Sequence, residues 1–110
     1  MTREIPEPDW KIMQRLKQTL MDRVCESYLT QVSNASGKPG VGAHQRFLDV
    51  YQLIQTRDEE FGLAFNDWRR SRAFERLAHL RRRKFITQEE FAQFTSETRA
   101  VIDMLLGAGA

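Results

Sequence analysis

The stretch RRSRAFERLAHLRRRK, residues 69–84, carries eight of the chain's seventeen Lys and Arg side chains and one acid, Glu75. Cations at that density can hold anions, either nucleic-acid phosphates or carboxylates on a protein surface. The block nets +7, while the other nine basic and fourteen acidic side chains net −5, so a total charge of +2 conceals a basic segment on an acidic chain. Wound as a helix, the block places Arg69, Arg72, Arg76 and Arg83 within about 60° of one another. Phe74, Leu77 and Leu80 fall on the adjoining arc. Arg70 and Arg81 overlap that apolar arc and must snorkel outward or pair with an acid.

Such a ridge has a plain structural use. Cations at a helix C-terminus offset the macrodipole, and the remaining arginines can pair with Asp22, Glu26, Asp58 or Glu75. Its functional use is to dock an acidic surface on a partner or a second subunit, for which the planar guanidinium fork is suited. Sequence-independent nucleic-acid binding is the alternative. It has less behind it: Phe74 is the only Phe, Tyr or Trp in the block and faces the core, and no helix-turn-helix presents the basic helix.

A second candidate is Asp58. Phe47, Tyr51, Ile54, Asp58, Phe61, Phe65 and Trp68 are spaced +4, +3, +4, +3, +4, +3, and Asp58 is the one acid among them. A carboxylate on a buried seam is costly unless paired, so Asp58 is expected to be a buried polar residue bonded to a neighbouring helix. Its enzymatic reading, with Tyr51 beside it, lacks a second acid, a histidine or a nucleophile at fixed spacing. Metal binding is not expected: His44, His79 and Cys25 are far apart, and neither Glu-x-x-His nor His-Glu-x-x-His occurs. Gly37-Lys38-Pro39-Gly40-Val41-Gly42 lacks the phosphate-loop pattern, and Pro39 removes an amide donor. No cofactor is therefore expected. Cys25, the only cysteine, reads as a small hydrophobe at the edge of a core stripe and permits no intrachain disulfide.

The elements that must position these residues are helical. Trp10, Met13, Leu16, Leu20, Val24, Tyr28 and Val32 recur at three or four and make one apolar stripe, with Lys17 intruding on it. Residues 1–8 read as a tail in which Pro6 and Pro8 hold off the helix and Asp9 caps it. Residues 33–42 contain three glycines and a proline and read as a linker. The Phe47 seam predicts one continuous helix, although Thr56 and Glu59 could form a capping box that breaks it. Thr87-Gln88-Glu89-Glu90 is a second capping box, with Ile86 and Phe91 as its staple. A last helix is expected to bury Phe91, Phe94, Val101, Ile102 and Leu105 and to stop at Gly107.

No strand-like alternation occurs. The expectation is all-α: an elongated antiparallel bundle of four helices, five if the middle one breaks, forming a single domain over residues 9–107. No apolar run reaches the ~18 residues of a membrane span, and the N-terminus has no signal-peptide core, so the expected setting is cytoplasmic. So long a bundle leaves apolar edge uncovered, which predicts a homodimer. The expected function is a non-enzymatic helical interaction module that docks an acidic partner through Arg69, Arg72, Arg76 and Arg83.

Overall fold

The computed structural model describes residues 4–108, and no strand occurs among them. Five α-helices follow in order: α1 (Glu7–Ser36), α2 (Ala43–Phe65), α3 (Ala73–Arg82), α4 (Gln88–Phe91) and α5 (Ser96–Ala108), with one turn of 3-10 helix at Arg70–Arg72 leading into α3. The all-α expectation holds.

α1 starts earlier than the sequence pattern suggested. Pro6 is the N-cap, and its carbonyl accepts from the amides of Asp9 and Trp10, both at 3.0 Å. Pro8 lies inside the first turn, where its missing N–H would have had no helical partner anyway. The prolines therefore begin the helix instead of delaying it. Ile5, placed in the tail by sequence, is completely buried in the core.

Asp9 is not a cap. It is completely buried, and its carboxylate ties α1 to the far end of the chain. The Thr95 amide donates to Asp9 Oδ1 at 3.0 Å, and the Thr95 hydroxyl to Oδ2 at 2.7 Å. The Thr98 hydroxyl also donates to Oδ2. This knot explains why the expected last helix is two. A continuous helix would spend the Thr95 amide on Phe91, four residues back. Asp9 takes that amide, and Thr95 then opens α5 by accepting from the Thr98 amide at 3.4 Å and, through its carbonyl, from Arg99 at 3.0 Å.

The predicted capping box is present. The Thr87 hydroxyl accepts from the Glu90 amide at 3.0 Å, and Glu90 accepts from the Thr87 amide at 2.9 Å. Ile86 and Phe91 are both buried beside it. α2 runs unbroken through Thr56 and ends at Asn66, after which Asp67 takes a left-handed φ of 55°. Trp68 thus lies beyond the helix that its spacing seemed to continue. It folds back onto α1, with its ring 6.3 Å from Trp10 and the Lys17 ammonium 5.6 Å from its centroid. Lys17 intrudes on an apolar stripe because an aromatic face receives its charge.

The core gathers the first half of α1 (Met13, Leu20, Val24), the end of α2 (Ala64, Phe65) and the apolar faces of α3, α4 and α5. Between Val24 and Ala64 no residue is buried. The outer half of α1 and nearly all of α2 therefore project from the core as a two-helix arm, closed by residues 37–42. Gly40, at φ +79°, makes the turn there that a side chain would strain. The molecule measures 53 × 24 × 23 Å with a radius of gyration of 16.7 Å, against the ~13 Å expected of a globular chain this long.

Candidate interaction surface

The four ridge arginines are each engaged within the chain. Arg69 pairs with Asp67. Arg72 lies 3.2 Å from Glu75 and 3.6 Å from Asp67. Arg76 donates to the Asn66 carbonyl at 2.9 Å and lies 3.8 Å from Glu75. Arg83 reaches across to Glu60 on α2 at 3.2 Å. The helical wheel does not apply to all four, because Arg69 is in extended backbone and Arg72 closes the 3-10 turn. Arg81, which overlapped the apolar arc, stacks over Phe91 with its guanidinium carbon 4.4 Å from the ring centroid. Arg70 donates to the Ile5 carbonyl at 3.0 Å and so holds the segment just before α1. His79, half-buried on α3, is held below its usual pKa by burial and then by Arg83 and Arg82.

The expectation that Asp58 is buried does not hold; it is exposed. The reason lies in how α2 is turned. Two stripes of heptad spacing run along this helix, about 100° apart. Arg46, Val50, Leu53, Arg57, Glu60 and Ala64 form the first, and each is at least partly covered. Phe47, Tyr51, Ile54 and Asp58 begin the second, and each is exposed. The first stripe faces α1, where Arg57 donates to Gln31 at 2.8 Å and Arg46 to the Ser36 carbonyl at 2.6 Å. The more apolar stripe is left in water. Only its C-terminal end enters the core, where Phe65 stacks on Trp68 at 5.7 Å.

α1 presents a matching stripe on the same side of the arm. Cys25, Tyr28, Leu29 and Val32 line an open groove of about 450 Å³ with Ile54, Arg57, Asp58 and Phe61 across from them. A second hollow of about 260 Å³ continues towards the tip, between Ser36 and Ala43, Arg46, Phe47 and Val50. Leu29 is 61% exposed, Phe47 68%, Tyr51 58% and Ile54 52%. Helical phase puts Thr30 and Asn34 of α1, and Gln45, Asp49, Gln52 and Thr56 of α2, on the opposite side. Those six are exposed polar residues. Up to residue 58 the arm is amphipathic, with one apolar and one polar face; beyond it, Leu63 is exposed on the polar side. Cys25, expected as a buried small hydrophobe, is exposed on the apolar face.

Sequence reasoning missed the residue that locks the base of the arm. Arg23 of α1 makes a two-pronged contact with Glu90, at 2.7 and 3.0 Å, and donates to the Phe85 carbonyl at 2.7 Å. The Arg23 hydrogen bonds hold the Glu90 carboxyl below its ordinary pKa. Its only sequence signal was a cation one heptad after Leu16, at the edge of the apolar stripe of α1.

Among the described residues, no group of three His, Cys, Asp or Glu side chains is placed to hold a metal ion. No hydrogen bond or ion pair joins Tyr51 to Asp58; the Tyr51 hydroxyl accepts from Gln55 at 3.1 Å. Among the described residues, no helix is long and apolar enough to cross a membrane. Comparison with protein-family models, curated proteins and solved structures finds no match to this chain.

Proposed function

We propose that the chain is a non-enzymatic helical interaction module that acts as a homodimer, with the apolar face of the α1–α2 arm as its contact surface. The observation that carries this reading is that Leu29, Phe47, Tyr51 and Ile54 are each more than half exposed on one side of the arm. At about 200 Å² per large side chain, the four leave roughly 500 Å² of surface in water. Half-covered Tyr28, Val32, Val50 and Phe61 adjoin them. Together they approach the ~800 Å² that each partner contributes to a standard interface, and they exceed the few hundred Å² of apolar patch that monomers usually tolerate. A second arm of the same kind would cover this face and complete a four-helix bundle.

The arginine ridge supports docking of an acidic partner less well, because Arg69, Arg72, Arg76 and Arg83 would have to give up internal contacts to bind one. Nucleic-acid binding would lean on Arg82 and Lys84, which meet no acid among the described residues. Two cations give weak binding at physiological salt. A reducing, cytoplasmic setting suits the single unpaired thiol of Cys25.

The test is light scattering coupled to size exclusion, across a range of concentrations, on the native chain and on Ile54→Glu. A native dimer that becomes a monomer in Ile54→Glu is the expected result. A native chain that is monomeric at every concentration would sink the proposal.

A further inference from the structure

We infer that two copies pair face to face with their arms antiparallel, the tip of each arm lying over the base of the other, so that the two-fold axis passes beside Ile54. This rests on the dimer reading above and adds its register.

Self-complementarity along α2 is the first argument. Counted from Ile54, the exposed stripe has Phe47 seven residues before it, Phe61 seven after, Tyr51 three before and Asp58 four after. A two-fold axis at Ile54, perpendicular to the arm and lying in the contact plane, therefore sets Phe47 on the partner's Phe61. It sets Ile54 on the partner's Ile54, and it brings the Tyr51 hydroxyl opposite the partner's Asp58. An isologous contact requires this kind of mirrored spacing. It also gives the acid in the apolar stripe a donor, which the lone chain does not provide. In the other two-fold arrangement, tip over tip, α2 would lie on the partner's α1, where its stripe would meet Cys25, Tyr28, Leu29 and Val32 instead of its own mirrored spacing.

Charge gives the second argument. At the tip, Arg46 borders the second hollow and Lys38 lies in the 37–42 turn, whereas at the base Asp58 is on the groove stripe of α2 and Asp22 lies beside that of α1. Arg57, at the base, is already paired with Glu60 at 3.2 Å. Tip over base brings cations of one copy towards acids of the other. Tip over tip brings like charges together at both ends, which opposes association and specifies against that register. The antiparallel register also keeps the two cores at opposite ends of the assembly.

The discriminating experiment uses single cysteines at Leu48 and Gln55, two flanking positions one heptad apart on α2. Each is introduced in a Cys25→Ser background and treated with a short bis-maleimide, with light scattering run on the same samples. In the antiparallel register, position 55 lies within about two residues of its own copy along the axis, about 3 Å of rise, while position 48 is separated from its copy by roughly 18 Å. Cross-linked dimer at 55 and little at 48 is the expected outcome. Equal cross-linking at both positions overturns the register and leaves the dimer standing. A dimer by light scattering that cross-links at neither position overturns the register, and is what α2 lying on the partner's α1 would give. A monomer by light scattering overturns the dimer reading itself.

Discussion

Two acids in this chain exchange the roles their neighbours suggest. Asp9 precedes a helical stripe and looks like a cap, yet it is completely buried and accepts from the Thr95 amide and from the Thr95 and Thr98 hydroxyls. Asp58 interrupts an apolar stripe and looks buried, yet it lies in water. The energetic consequences follow burial. Removing Asp9 leaves the buried Thr98 hydroxyl without its acceptor, at about 1–3 kcal/mol, and the part-buried Thr95 amide and hydroxyl at less, because water can reach them. Asp9→Ala is therefore expected to lower unfolding free energy by roughly 2–4 kcal/mol in urea titrations. Asp58→Ala, measured at dilute protein, should change it by no more than about 0.5 kcal/mol. Equal effects from the two would contradict the burial assignment. Neither role was legible in the sequence, because Thr95 and Thr98 stand 86 and 89 residues from Asp9.

Among the elements, the short α4 depends most on local chemistry. Four residues cannot hold a helix by backbone bonding alone, and this one has a reciprocal cap at Thr87 and a clamp from Arg23. Glu90 serves both, so its charge matters. Its folded-state pKa is depressed below the ordinary 4.5, mainly by the Arg23 hydrogen bonds. The sign follows: its stabilisation is fully present above that ordinary value and is lost as pH falls through the depressed one. Glu90→Gln should thus be less stable than the native chain by about 1–2 kcal/mol at neutral pH, with the partial exposure of Arg23 trimming the effect. The gap should close as the medium is acidified below pH 4.5, where the native carboxyl also loses its charge. Thermal unfolding of both proteins between pH 3 and 7 checks it; a gap that does not narrow would mean the Arg23 contact is not the source. The capping box itself was readable in the sequence because it is a four-residue motif whose partners are covalently close. Arg23 was not, since it is 67 residues from Glu90.

At the scale of the whole molecule, the core occupies one end and the arm extends from it. Burial is concentrated where five helices meet, so changes on the outer arm should leave the core intact. The homodimer proposal makes this measurable. If association covers the arm, stability is linked to protein concentration by mass action. The melting temperature of the native chain is expected to rise across a hundredfold increase in concentration, while that of Ile54→Glu stays constant and matches the native value at high dilution. A concentration-independent native melting temperature would argue against association through any face. A large loss of dilute stability in Ile54→Glu would mean that the arm is part of the folding core.

Local sequence determined that this chain is all-α, where most helices run, that α2 passes unbroken through Thr56, and that Thr87 opens a helix. Each depends on residues within a turn or two of one another, where 3.6-residue periodicity and capping act directly. Tertiary structure decided which apolar stripe is buried. α2 carries two stripes of heptad spacing, and spacing alone cannot tell the one that meets α1 from the one that meets water. That choice is made by the rotation of α2 against α1, through Arg46, Arg57 and Ala64, and by the ending of the core at Val24. The same packing pairs the arginines that a helical wheel left free, because the acids they find, Asp67 and Glu60, come from the preceding turn and from the neighbouring helix.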